Sequence, residues 1–155
     1  MIHHIYDYTT LYEKLKPVID LLYMTFTTMG LIDSCSMILA ITLAIREEFT
    51  VNDYVALTGY AKSTISTCLG MLERMGFIHK VKRGRRYSYM PTSDIGKIFI
   101  NRFRNILERK LKPLEDKLLM LLKDEKDEYV RSKLESLTSE VNNLIKVLED
   151  LLSKV

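Results

Sequence analysis

Residues that punctuate or cross-link a chain are scarce in this sequence. Six glycines and three prolines in 155 residues, with no tryptophan, argue against a sandwich or barrel of many short strands, which needs a turn about every ten residues. Long helices are the alternative. The only two cysteines, Cys35 and Cys68, give no disulfide framework, and neither has a second cysteine at zinc spacing. His3 and His4 are sequence neighbours that cannot share a helical face, and His79 is remote, so no metal site is expected. The greasiest run, residues 37–45, is broken by Thr42 and falls far short of the roughly 18 residues of a membrane span. Met1-Ile2-His3-His4 has neither the basic nor the apolar region of a signal peptide. A reducing cytoplasm, without membrane attachment, is the expected setting. A Gly-rich phosphate loop, a nucleophile elbow and H-E-x-x-H are all missing, and the carboxylates of residues 124–128 are interleaved with lysine like a solvated connection. No enzyme and no cofactor is expected.

What is present is helical periodicity and a divided charge. Leu11, Leu15, Val18, Leu22, Phe26 and Met29 recur at steps of three and four, predicting a first helix over residues 8–29 that contains Pro17 and stops at Gly30. A second helix, residues 34–48, with Asp33 or Ser34 as its cap, is apolar nearly all round and should be the buried centre of the domain. Thr50-Val51-Asn52-Asp53 is a capping box that opens a short helix ending at Gly59. The next helix, residues 62–75, turns Ile65, Leu69 and Leu72 inward and stops at Gly76. Residues 77–82 and 85–90 then read as a hairpin about Arg83-Gly84.

The remaining chain reads as long helices. Pro91 closes the hairpin, and Ile95, Phe99, Phe103, Ile106, Leu111, Leu114, Leu118 and Leu121 predict a helix to about residue 122, kinked or divided at Pro113. Beyond a charged connection, Val130, Leu134, Leu137, Val141, Leu144, Leu148, Leu151 and Val155 alternate steps of four and three, the pattern of a coiled-coil seam that needs a partner helix. The partner is either a second copy of the chain or the preceding helix of the same chain.

The net charge of +3 conceals an asymmetry. Residues 61–104 hold ten basic side chains and two acidic ones, so the rest of the chain is acidic. A polyanion is the natural partner for the middle segment. Two short capped helices joined by a Gly-containing turn form a helix-turn-helix, whose second helix enters the major groove. Its opening residues Lys62, Ser63, Thr64, Ser66 and Thr67 suit phosphate and base-edge contacts. The hairpin behind them carries Lys80, Lys82, Arg83, Arg85 and Arg86 without an acid, as a wing able to reach the backbone or the minor groove.

The stretch from Phe49-Thr50 through Gly59-Tyr60-Ala61-Lys62-Ser63-Thr64-Ile65-Ser66, followed by Leu72-Glu73-Arg74-Met75-Gly76-Phe77-Ile78, resembles the winged helix-turn-helix of the MarR superfamily. Gly30-Leu31 before the buried helix, the wing Gly84-Arg85-Arg86-Tyr87-Ser88-Tyr89 and the long terminal helices are most similar to its GbsR-like branch. The resemblance covers about half the chain and implies a homodimeric, sequence-specific transcriptional regulator of double-stranded DNA. Two departures weaken base readout: Ala61 replaces a common Ser cap, and Thr67 a common Arg.

The expected architecture is therefore mainly α with a small β-hairpin. Residues 1–29 form an N-terminal dimerisation helix, 30–92 the winged domain and 93–155 a C-terminal helical dimerisation region. Leu11, Leu15, Leu22, Val130, Leu134, Leu137, Val141, Leu144, Leu148 and Leu151 are the expected dimer residues. The tyrosines Tyr6, Tyr8, Tyr12 and Tyr23 are expected to pack in that interface, with a cage for a cationic effector as the rarer reading; nothing in the sequence identifies a small-molecule effector. A chromatin-type architectural protein of low specificity, also bound to duplex DNA on the nucleoid, is the alternative function.

Overall fold

The computed structural model describes residues 7–155. In chain order they form α1 (Tyr8–Thr28), α2 (Asp33–Ile45), α3 (Val51–Thr58), α4 (Lys62–Arg74), β1 (Ile78–Arg83), β2 (Arg86–Pro91), α5 (Ile95–Ile106), a π-helical turn (Leu107–Leu111), α6 (Lys112–Asp124) and α7 (Glu128–Ser153). The class is mainly α with one antiparallel hairpin. None of these helices is long and apolar enough to cross a membrane. The chain divides into two compact units, the first running through Ile95 and the second spanning Gly96–Val155.

In the first unit everything leans on α2. Helix α1 ends at Gly30, whose φ of 89° lets the chain reverse; Gly30 N–H donates to Thr27 O, and Leu31 N–H to Phe26 O. These bonds satisfy carbonyls that the helix end leaves open. The chain then turns directly into α2, which α1 covers along with α4. Helix α2 starts at Asp33, one residue earlier than expected, with Ile32 as its N-cap and no side-chain cap bond. It ends at Ile45, three residues early, because Arg46 takes a left-handed conformation (φ 60°). That break frees Phe49 to pair as an isolated bridge with Tyr89, through bonds of 3.0 and 2.8 Å. The hairpin thereby gains a third strand-like edge that the sequence did not announce.

Thr50 and Asp53 close the expected capping box at the start of α3. The helix is fixed to α2 by a buried relay: Thr42 Oγ1 donates to Ile38 O (2.7 Å), which leaves its oxygen to accept from Tyr54 Oη at 2.6 Å. Burial pushes the Tyr54 phenol well above its usual range. Gly59, at φ 72°, ends α3 as expected, and α4 follows with Ala61 as an N-cap that offers no side-chain bond. Ile65, Leu69 and Leu72 are fully buried on one side of α4. The hairpin register pairs Arg83 with Arg86, so its turn is Gly84-Arg85, one residue later than expected. Gly84, at φ 63°, supplies the positive φ that a two-residue hairpin loop requires first.

The reading of Cys35 and Cys68 is corrected by the fold, in which they form a disulfide across a sequence separation of 33 residues. Spacing carried no hint of it; the packing of α2 on α4 does, bringing the two Cα atoms to 5.0 Å. Tyr8 is likewise an intrachain residue: its ring packs at a tilt against Phe49, centroids 4.8 Å apart, and its hydroxyl donates to Glu48 O at 3.0 Å. Tyr6, His3 and His4 lie outside the described residues.

The second unit is a helical hairpin. The helix expected over residues 95–122 is divided by the π-helical turn, whose widening precedes Pro113, a residue that cannot donate to the carbonyl one turn back and crowds it. Asp127 caps α7, and Arg131 Nη1 donates to Leu122 O and Glu125 O, closing the end of α6. Val141 and Ile145 are buried against Leu107 and Leu118, with Leu111, Leu134, Leu148 and Leu152 packed around them. The last helix therefore folds back within its own chain. The apolar seam is split by this packing: Leu134, Val141 and Leu148 turn inward, whereas Val130, Leu137, Leu144 and Leu151 stay 40–50% exposed.

The relay between α2 and α3 predicts an asymmetric response. Tyr54→Phe removes one hydrogen bond and should cost about 1 kcal/mol, whereas Thr42→Val strands the Tyr54 hydroxyl without an acceptor and should cost about 1–3 kcal/mol more. Urea unfolding midpoints of the two variants measure the difference, and equal losses would contradict the relay.

Candidate nucleic-acid interface

Helix α4 has two chemically distinct sides because its apolar residues recur at helical spacing. While Ile65, Cys68, Leu69 and Leu72 are buried, Lys62, Ser63, Ser66 and Thr67 are exposed and Thr64 is half-buried. The uncapped start of the helix also presents its first backbone N–H groups, which favour an anion. Lys80, Lys82, Arg83, Arg85 and Arg86 are all exposed on the hairpin. Every residue singled out for nucleic-acid contact is thus accessible.

The tertiary structure brings some of these residues together and diverts others. Lys62 and Arg86 share a cleft of about 430 Å³ with Thr50, Val51, Asn52, Tyr87 and Tyr89. Two cations beside hydroxyls and a carboxamide suit an oxyanion such as a backbone phosphate. The first turn of α3 and the two tyrosines were not expected in this cleft; the alternation of Tyr87 and Tyr89 on one strand was their only signal. Lys80 opposes Tyr89 and Lys82 opposes Tyr87 across the strands. The Lys80 ammonium sits 4.6 Å from the centre of the Tyr87 ring, and that of Lys82 lies 5.9 Å from it. These cation–π contacts hold the two lysines on the tyrosine side of the wing.

Arg83 does something different. Its guanidinium donates twice to the Glu48 carboxylate, at 2.6 and 3.4 Å, and Ser88 Oγ donates to the same carboxylate at 2.9 Å. Glu48 lies in the segment between α2 and α3, so this fork ties the root of the wing to the helical body. The bond from Arg83, and then that from Ser88, hold the Glu48 carboxyl below its usual range, while Glu48 raises Arg83. The sequence could not distinguish this arginine from Arg85 and Arg86.

A carboxyl lowered in the folded state contributes stability that is full above the unfolded pKa and is lost as pH falls through the folded value. Wild-type protein should therefore lose stability relative to Glu48→Gln as pH falls from about 5 to about 3. Urea midpoints measured across that range test it. A constant difference between the two proteins would mean that the fork contributes nothing.

Comparison with known proteins agrees with this geometry. Residues 47–150 match the penicillinase repressor family, a span that covers α3, α4, the hairpin and most of the C-terminal helices. No curated protein matches the chain. A solved structure described as the crystal structure of a transcriptional regulator shares its fold, with a TM-score of 0.67 and 18% identity over 91% of this chain and 97% of that one. With two short helices joined at Gly59, an exposed polar side on the second and a basic hairpin behind them, the chain belongs to the penicillinase repressor family of winged-helix, DNA-binding transcriptional regulators.

Proposed function

We propose that the protein is a homodimeric, sequence-specific regulator that lays α4 in the major groove of double-stranded DNA and its wing along the adjacent backbone or minor groove. The observation that carries this reading is the cleft in which Lys62 of α4 meets Arg86 of the wing. On this reading Lys62, Ser63, Thr64, Ser66 and Thr67 approach the groove, while Lys80, Lys82, Arg85 and Arg86 neutralise phosphates. Arg83 positions the wing through Glu48. The narrower kinship with the GbsR-like branch of the MarR superfamily rests on the sequence motif alone. Such a regulator works in the cytoplasm, on the nucleoid. A small-molecule effector would act on the same dimer. Specificity separates this reading from an architectural role: a regulator prefers its own site by at least about 10³ over random duplex at physiological salt.

Substituting Arg85 and Arg86 together by Ala should weaken binding to every duplex and flatten the slope of log K against log salt by roughly 0.9 for each phosphate no longer neutralised. Fluorescence anisotropy at several salt concentrations measures both quantities. Unchanged affinity and slope would point the wing away from DNA.

For the dimer, the supporting feature is the stripe of Val130, Leu137, Leu144 and Leu151 left exposed on α7, together with Val147 at 63% exposure. Leu11, Leu15 and Leu22 are half-buried along α1, beside the exposed Val18, Leu21 and Met24. A symmetric dimer presents two copies of α4 and reads an inverted repeat. Leu137→Asp combined with Leu144→Asp should yield folded monomers by sedimentation and circular dichroism, because both side chains lie outside the intrachain packing. The monomers should lose the preference for inverted repeats. A folded dimer that keeps this preference would place the interface elsewhere.

A further inference from the structure

The disulfide between Cys35 and Cys68 lies where it can govern the recognition surface. Cys68 occupies the middle of α4, one residue after Thr67, and Cys35 sits in the first turn of α2, the helix against which α4 packs. Both side chains are 2% exposed. Beside them is a cavity of about 290 Å³ whose walls comprise Ile32, Ser34, both cysteines, and Ser63, Thr64 and Thr67 of α4. The bond is therefore enclosed by protein yet adjoins a space that a small reagent can enter. It shares that space with three of the residues assigned above to DNA contact.

We propose that Cys35 and Cys68 form a reversible redox site whose disulfide holds α4 in its DNA-reading posture and whose reduction loosens that helix. This proposal rests on the DNA-binding reading for its consequence but not for its chemistry. Reduction requires a dithiol. Its thiolate attacks Cys68 Sγ, the bond between the two sulfurs breaks, and Cys35 leaves as a thiolate that takes up a proton. The second thiol of the reductant then displaces Cys68 as a thiol, so two electrons pass to the protein and the reductant leaves as a cyclic disulfide. A hydroperoxide reverses the change: two thiols and one hydroperoxide give the disulfide, an alcohol and water.

Local chemistry favours the assigned direction. Cys35 lies in the first turn of α2, where unpaired N–H groups and the positive end of the helix dipole stabilise a leaving thiolate. The Ser34 hydroxyl lies 3.4 Å from Cys68 Sγ and can donate to that sulfur as the reductant's second thiol displaces it in the second step. Two free thiols require van der Waals separation in place of a covalent bond, and a close-packed site does not supply that room without movement. The adjoining cavity is where that movement can go, and its α4 wall, with Ser63, Thr64 and Thr67, is the recognition face. Reduction should displace the half of α4 that carries Ser63, Thr64 and Thr67, and a helix that must be reordered on binding has lower affinity.

The test uses the whole protein in redox buffers of dithiothreitol and its oxidised form. Oxidised protein, denatured and treated with iodoacetamide, should take no label, and reduced protein two labels by mass. Amide hydrogen exchange over residues 62–74 should be faster in the reduced form. Affinity for duplex selected from a random pool should fall by about threefold or more on reduction. Cys35→Ser should show the reduced-form exchange in every buffer, which separates the bond from other effects of the reagent. Two labels on peroxide-treated protein, or identical exchange in the two forms, overturn the proposal. Equal or tighter DNA binding by the reduced form overturns it as well. Failure to bind any duplex in either state would instead overturn the DNA-binding reading, while labelling and exchange still decide the redox site.

Discussion

A helix that is apolar on all sides can exist in water only if other elements enclose it, and α2 is such a helix. Nine of its thirteen residues are buried, including Ile38, Leu39, Ala40 and Ile41 with no exposure. The elements that bury it, α1, α4 and the hairpin strand β2, include those that carry the exposed polar side of α4 and the basic wing. Burying α2 and presenting α4 are thus one event. The two polar side chains that α2 takes into the core, Ser36 and Thr42, are both bonded, Ser36 to Leu31 O and Thr42 to Ile38 O and Tyr54. Unbonded, each would offset a substantial part of what the helix gains by burial.

Charge on the wing is divided between an arginine bound to the body and cations left exposed. One arginine, Arg83, is committed to Glu48 and Ser88, and the pair is exposed enough that solvent screening limits its strength. Its importance is geometric, since it fixes where the hairpin leaves the body. The bridge between Phe49 and Tyr89 fixes the same hairpin from its backbone, and the tilted ring contacts of Tyr8 with Phe49 and of Phe49 with Tyr54 anchor that bridge in the core. The remaining cations then project from a support with little freedom. Less entropy is lost when such a surface meets DNA than when a mobile basic loop does.

The C-terminal unit shows a single apolar stripe serving two purposes. Heptad spacing on α7 satisfies any partner laid along it, and the chain's own α6 and π-helical turn take one edge, burying Val141 and Ile145. The other edge is left with large apolar side chains in water. An exposed stripe of that kind is unusual on a monomer and is suited to an interface.

Much of this protein was legible in its sequence, for identifiable reasons. Capping box, helix periods and stop glycines are local patterns, so α1, α3, α4 and the hairpin could be placed within a residue or so, and the basic excess of residues 61–104 is read directly from the sequence. The winged helix-turn-helix follows from the order of those elements. What depends on residues distant in sequence was not legible. The left-handed Arg46 that ends α2, the bridge from Phe49 to Tyr89, the capture of Arg83 by Glu48, the disulfide between Cys35 and Cys68 and the division of the α7 seam were all decided by tertiary packing. Each is a pairing between residues far apart in the chain or a consequence of one. Local spacing encodes which face of a helix is apolar, but only the assembled core determines what that face, or the charge beside it, meets.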